Sequence, residues 1–262
     1  MRRNGAGRIV QCSSVLGLVA VPFRGAYCAS KAAVEMLMKH MAAISFPVND
    51  CLSSDQIWNY RSKITPHFDQ PRNGEIGPIG FLHIGTRSRI IDVPQCPIAM
   101  DVINRELPAI RDGLRATAHK FKRGATVLLR ATQDRVETDF RAVAVEEVGE
   151  LKFQFLAGDF FQNNPFILPL FTGYVAKQAS AGGARFLVDA YCGSGLFSLT
   201  LAKDFEKVAG VEVSETSCEW ARKNAKANQI ANATFLTADE MNRGHGQAMG
   251  WGVRVAKVKG WL

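Results

Sequence analysis

Apolar residues run uninterrupted through Phe186-Leu187-Val188 and again through Val208-Ala209-Gly210-Val211, and each run ends in an acid, Asp189 and Glu212. Short apolar runs bounded by polar residues and followed by helically spaced sequence predict strands buried in a parallel sheet. The pattern places strands at 185–190, 207–213 and 233–237, with helices at 167–179, 197–203 and 217–228 around them. Strands alternating with helices imply an α/β unit. Upstream the rhythm differs. Short β-type runs at 64–68, 79–84 and 89–93 are punctuated by Pro71, Asn73, Gly74, Gly77, Pro78 and Gly85. A helix follows at 101–107, which Pro108 ends or kinks, and a second at 109–122 stops at Gly124. Strands at 125–130, 140–146 and 152–157 complete a mixed α+β domain.

Composition adds a partner class. The 262 residues are 47% hydrophobic and 21% charged, the balance of a globular chain of one or two domains. A net charge of +8 favours a polyanion. Between 111 and 130, Arg111, Arg115, Lys120, Lys122, Arg123 and Arg130 face the single acid Asp112, either as a phosphate-facing patch or as a solvated helix face. The 6 cysteines show no C-x-x-C spacing, so neither a zinc site nor a disulfide framework is legible and an intracellular, reduced protein is expected. No apolar run reaches the roughly 18 residues of a spanning helix, so no membrane association is expected.

The candidate chemistry lies in Asp189-Ala190-Tyr191-Cys192-Gly193-Ser194-Gly195, an acid followed by two glycines one residue apart. Glycine lets backbone N–H groups approach a ligand that a Cβ would hold away, so Gly193 and Gly195 predict a nucleotide-type turn. A dinucleotide fingerprint places a third small residue, glycine or alanine, where Ser198 stands, which weakens a nicotinamide reading. Glu212, 23 positions after Asp189, is suited to ribose hydroxyls.

This spacing resembles the class I S-adenosylmethionine methyltransferases. Phe160-Phe161-Gln162-x-Asn164, just upstream, narrows the resemblance to the RNA uracil-5-methyltransferase family, whose members form 5-methyluridine in transfer or ribosomal RNA. The segments 60–68, 92–99 and 128–130 resemble the central domain of that family, especially of its fungal transfer-RNA branch, and the likeness covers about residues 57–240. It implies an α/β fold, a partial class I methyltransferase (Rossmann-like) sheet preceded by a mixed α+β central domain. The implied cofactor is S-adenosyl-L-methionine and the implied partner is RNA, in origin transfer RNA. By the same resemblance Gln162, Tyr191, Leu196 and Glu212 occupy donor-contacting positions beside Gly193 and Gly195, and Asp239 stands where an acid lies near the adenine.

The family's chemistry adds a cysteine thiolate to carbon 6 of uracil, transfers methyl to carbon 5, removes the carbon 5 proton with a carboxylate and eliminates the cysteine. Its Asp-Pro-Pro-Arg and Ser-Cys-Asn stretches do not occur among the 262 residues, so no catalytic residue is carried over and the chain is expected to be truncated and inactive. Some members hold an iron–sulfur cluster; Cys96 matches one of its four ligands only, and no metal cluster is expected.

Residues 5–37 have another texture. Gly7 to Ser14 reads as a strand ending in serines, and Tyr27-Cys28-Ala29-Ser30-Lys31 opens a helix, which resembles the catalytic segment of short-chain dehydrogenases at Ser14, Tyr27 and Lys31. Tyrosine and lysine at i and i+4 share one helix face, and the ammonium lowers the phenol's pKa. With no glycine-rich cofactor turn ahead of it, the segment is expected to be an inert fragment in a chimeric chain. The organisation expected is therefore 1–41 dehydrogenase-like fragment, 42–58 junction, 59–157 central domain, 158–240 partial donor-binding domain and 241–262 tail. A strand at 8–12 is expected to dock beside Val188, on the open edge of the partial sheet. The alternatives to a methyltransferase are a dehydrogenase and a non-catalytic RNA or cofactor binder.

Overall fold

The computed structural model describes residues 52–83, 86, 88–133 and 135–242. Ser14, Tyr27 and Lys31, the strand expected at 8–12 and most of the tail lie outside them.

The central part consists of β1 (Lys63–Ile64), β2 (His67–Phe68), β3 (Ile79–Leu82), β4 (Ile90–Asp92), helix α1 (Asp101–Ala116), β5 (Ala125–Thr126), β6 (Leu129–Ala131) and β7 (Val136–Glu137). They form two antiparallel sheets, in the orders β4-β3-β2-β5 and β1-β6-β7. The runs 64–68 and 125–130 were expected as single strands, and each is divided between the two sheets. The register explains this: Lys63 faces Arg130, Ile64 faces Leu129, His67 faces Thr126 and Phe68 faces Ala125, one continuous alignment. The ladder is interrupted at Pro66, which has no N–H to donate. Its carbonyl still accepts from the Val127 N–H at 2.8 Å.

Pro108 was expected to end or kink a helix, yet α1 runs through it as one element. Ile103, Leu107 and Arg111 line one face of α1 and are buried, whereas Pro108 is exposed. The hydrogen bond that proline deletes therefore falls on the side where water can replace it. Burial of the opposite face, where Ile103 and Leu107 pack with Ile64, Ala99 and Leu129, holds the helix together. Arg111 is 4% exposed and donates to the Ile79 and Val93 carbonyls and to both carboxylate oxygens of Asp92, at 2.8 and 2.7 Å. It does not belong to a phosphate-facing patch, because its charge is already neutralised inside. Cys96 is buried, with its backbone held at both ends by the Asn104 side-chain amide.

A hairpin follows, β8 (Val143–Val148) and β9 (Leu151–Leu156), turning at Gly149 with φ +60°. Its first strand was expected from 140 and starts later, since Asp139 accepts the Arg141 N–H and folds 139–142 into a turn. The remaining elements are α2 (Leu168–Ser180), β10 (Phe186–Asp189), α3 (Leu196–Thr200), β11 (Lys207–Glu212), α4 (Glu215–Ala227), β12 (Ala233–Thr237) and α5 (Ala238–Asn242). The three strands are parallel in the order β10-β11-β12, so β10 is an edge among the described residues.

Asn224 and Asn228 join hairpin to sheet. Their amides bond the backbone N–H and C=O of Gln154 and Lys152 respectively, all at 2.8–3.0 Å, taking the place of a neighbouring strand along β9. Asn224, 0% exposed, also donates to the Ser194 carbonyl in the glycine turn. Among the described residues no helix is long and apolar enough to cross a membrane, and no group of three His, Cys, Asp or Glu could hold a metal ion.

Candidate functional site

Parallel pairing brings the carboxyl ends of β10, β11 and β12 to one edge, the side where open α/β sheets bind ligands. Asp189, Glu212 and Thr237 stand there, with Glu212 directly opposite Thr237. The turn between β10 and α3 takes Gly193 to φ +52° and Gly195 to φ +95°, a region that side chains with a Cβ rarely enter. Behind it, a Cβ on Gly210 of β11 would fall 2.5 Å from the Phe235 ring and 2.9 Å from the Cys192 sulfur.

Glu212 organises this turn. One of its oxygens accepts the Gly193 N–H at 3.0 Å, and the other accepts the N–H groups of Val213 and Ser214 at 2.8 and 3.0 Å. An ionised carboxylate offers about four lone-pair positions, so room is left for a hydroxyl. Asp189 accepts both the N–H and the hydroxyl of Ser198, at 3.1 and 2.8 Å. Burial pushes its carboxyl above the ordinary value, against the two Ser198 bonds. Ser198, read from sequence as a departure from a dinucleotide fingerprint, is the buried clasp between the strand and α3.

The motif 160–164 divides its labour. Phe161 stacks on Phe155 at 4.3 Å and shares a core with Cys192 and Leu196, which brings this loop to the glycine turn. Asn164 caps a short helical turn by accepting the Phe166 N–H. Phe160 is left 72% exposed and Gln162 half-buried. The loop is held from below by Lys63, which donates to the Gly158 and Asp159 carbonyls, by Ser62, whose N–H donates to the Asn163 carbonyl, and by Arg130, which donates to the Ala157 and Asp159 carbonyls.

Of the other residues singled out, Tyr191 is 85% exposed beside the turn. Leu196 has its side chain in the core, so only its backbone at the start of α3 is offered to a ligand. Asp239 is exposed on the first turn of α5. Its neighbour Glu240 instead closes a capping box: its carboxylate accepts the Thr237 N–H at 2.7 Å, and its own N–H donates to the Thr237 hydroxyl. Arg222 then bridges Glu240 and the Phe235 carbonyl. Thr-x-x-Glu is a capping signature visible in the sequence; the parts of Asn224, Lys63 and Arg130 carry no local signal. Cys192 and Cys218 are buried against each other, and contact with the Cys218 sulfur, together with burial, pushes the Cys192 thiol up, which favours its protonated form.

Glu146 on β8 lies near Arg130. Burial pushes its carboxyl up to about 7 from an ordinary value of 4.5, with the guanidinium opposing. The stability contributed by the neutral acid is present below pH 4.5 and lost as pH rises through about 7. Replacement by glutamine should therefore gain on the wild type across that window and run parallel to it outside. Urea unfolding at a series of pH values checks this, and parallel curves throughout would sink it.

A family model described as tRNA (Uracil-5-)-methyltransferase matches residues 98–250, and one described as short chain dehydrogenase matches residues 1–45, all outside the described residues. A tRNA (uracil(54)-C(5))-methyltransferase of Schizosaccharomyces pombe is 47% identical over 203 residues, covering 72% of this chain and 38% of that protein. Its counterpart of the same description in Saccharomyces cerevisiae is 36% identical over 253 residues, covering 72% and 40%. The chain thus spans about two fifths of the length of the curated relatives it matches. Among solved structures, a Pyrococcus abyssi tRNA (uracil-54, C5)-methyltransferase in complex with S-adenosyl-L-homocysteine superposes with TM-score 0.58 at 18% identity, covering 77% of this chain and 60% of that one. At this identity the likeness is one of fold.

Proposed function

The chain belongs to the tRNA (uracil-5-)-methyltransferase family, and from that premise we propose that residues 158–240 are a grip for S-adenosylmethionine in an enzyme that methylates carbon 5 of a uridine in transfer RNA. The observation that carries this is the use of Glu212: three backbone N–H groups fix a carboxylate at the end of the second strand with acceptor capacity to spare. A nucleoside with two ribose hydroxyls suits that acceptor. Exposed Tyr191 and Phe160 offer apolar faces, Gln162 a polar one, and Asp239 stands outward for an adenine amine. Bound there, the donor supplies an electrophilic methyl group on a sulfonium. The protein's own residues orient it and cover one side of the cleft, while Asp189 and Ser198 keep α3 against the strand.

The split into a central unit at 59–157 and a donor-binding unit at 158–240 is part of the same proposal, supported by the change from antiparallel to parallel pairing. Calorimetry with S-adenosylhomocysteine tests it. One site per chain is expected for that ligand, with no heat from nicotinamide dinucleotides; the reverse pattern would favour the dehydrogenase reading of Ser14, Tyr27 and Lys31. Uridine methylation is expected to be undetectable with the 262 residues alone, since they hold no Ser-Cys-Asn stretch to supply the thiolate.

A further inference from the structure

An open groove of about 360 Å³ lies on the central sheets, away from the glycine turn, between α1, β5 and the turn before β8. Its walls are Ile110, Gly113, Leu114, Phe121, Thr126 and Phe140. Two observations set it apart. Gly113 sits inside α1, where glycine costs about 1 kcal/mol relative to alanine, yet a Cβ there would meet nothing within 4 Å. No packing demand explains that glycine, which lies exposed along the groove. The second is Phe140, 46% exposed at the rim, whose carbonyl accepts the Gly158 N–H and whose ring would lie 2.8 Å from a Cβ on Gly158. The wall of the groove thus abuts the turn that leads into Phe160 and Gln162.

The rim is basic. His119, Lys120, Lys122 and Arg123 are exposed on either side of Phe121, which packs edge-to-face on Phe68 at 5.1 Å. None of Lys120, Lys122 and Arg123 makes an ion pair among the described residues. Among the described residues, Asp112 is engaged with Arg115 at 3.7 Å, Glu137 with Arg135 at 3.3 Å and Asp139 with the Arg141 N–H. Aromatic faces interleaved with free cations suit a single strand of nucleic acid, its bases stacked and its phosphates neutralised.

We propose that this groove receives an unpaired nucleobase of the RNA substrate, with Phe121 and Phe140 as stacking faces and Lys120, Lys122 and Arg123 on the flanking phosphates. The proposal rests on the RNA-methyltransferase reading and extends it to a second contact outside the donor site. The experiment uses the full chain and a short oligouridylate carrying 4-thiouridine, cross-linked by ultraviolet light and mapped by mass spectrometry, with affinities from fluorescence anisotropy. Cross-links are expected in the peptides holding Phe121 and Phe140. Gly113→Leu, which fills the groove with a better helix former, should weaken binding about tenfold. Lys122→Glu should lower the slope of log affinity against log salt by about 0.7 or more. Cross-links confined elsewhere, or Gly113→Leu binding as the wild type does, would overturn the proposal. So would dimerisation of the chain that Gly113→Leu abolishes, since a second copy would then fill the groove. S-adenosylhomocysteine titrated into the same preparations separates the two readings. If the donor fails to bind while oligouridylate cross-links at Phe140, the groove stands and the donor site falls.

Discussion

Arg130→Met is expected to lower the stability of the folded chain by about 3 kcal/mol, the scale of two hydrogen bonds from a buried charged donor. Arg130 is 1% exposed, and no water can replace what it does. Its Nε and one terminal nitrogen donate to the Ala157 and Asp159 carbonyls at 2.8 and 2.9 Å, and its guanidinium lies 5.0 Å from the centre of the Phe155 ring. Methionine keeps the volume, leaves the Ala157 carbonyl without its donor and leaves the Asp159 carbonyl to Lys63 alone. A second effect has the opposite sign. Burial, followed by the nearby Arg130 charge, holds Lys63 down to about 8, so removing that charge lets its pKa rise toward 10.5 and eases its burial. The loss outweighs the relief, because the Lys63 amine already bonds the Gly158 and Asp159 carbonyls while the buried Ala157 carbonyl gains no new donor. Urea midpoints at constant slope measure the change; a loss under about 1 kcal/mol would show that the buried guanidinium is not what holds the 157–159 backbone. Cofactor affinity should fall along with stability, since that backbone leads straight to Phe160 and Gln162.

Glu212→Ala is expected to weaken S-adenosylhomocysteine binding about 100-fold, equivalent to about 2.7 kcal/mol. The change removes the acceptor proposed for the ribose and also frees the N–H groups of Gly193, Val213 and Ser214, so the turn is no longer held in its binding shape. Glu212→Gln separates these contributions. Its amide keeps one acceptor oxygen but aims an NH₂ group at N–H donors on the other side, so affinity should fall by an intermediate factor. Asp239→Ala should cost only a few fold, because that carboxylate is exposed and the capping box is closed by Glu240. Calorimetry on the three variants gives the order; equal affinities for Glu212→Ala and the wild type would remove Glu212 from the site.

The glycine turn and the segments around it were legible because they are local. Gly193 and Gly195 permit the positive φ that the turn uses, Glu212 lies a fixed number of residues beyond Asp189, and Phe160 to Asn164 forms one contiguous motif. The ends of the elements were less so. Pro108 reads as a helix breaker until the buried face of α1 is known to lie opposite it, and 125–130 reads as one strand until Pro66, some 60 residues away, is seen facing its middle. The basic stretch 111–130 shows the same limit. Arg111 and Arg130 turn inward to Asp92 and to the 157–159 carbonyls, while Lys120, Lys122 and Arg123 stay in solvent. Nothing in the order of residues distinguishes one arginine from the next.

By itself, then, the sequence determined the α/β class, the glycine turn and the family, because backbone freedom at glycine and the period of strand and helix are properties of short stretches. Only the tertiary structure decided which charges are buried. It gave Asn224 to the edge of β9 and the Ser194 carbonyl, made Ser198 the partner of Asp189, and set an open groove beside Gly113. Those assignments depend on which distant backbone groups lack a partner, and that is settled when the sheets and helices pack.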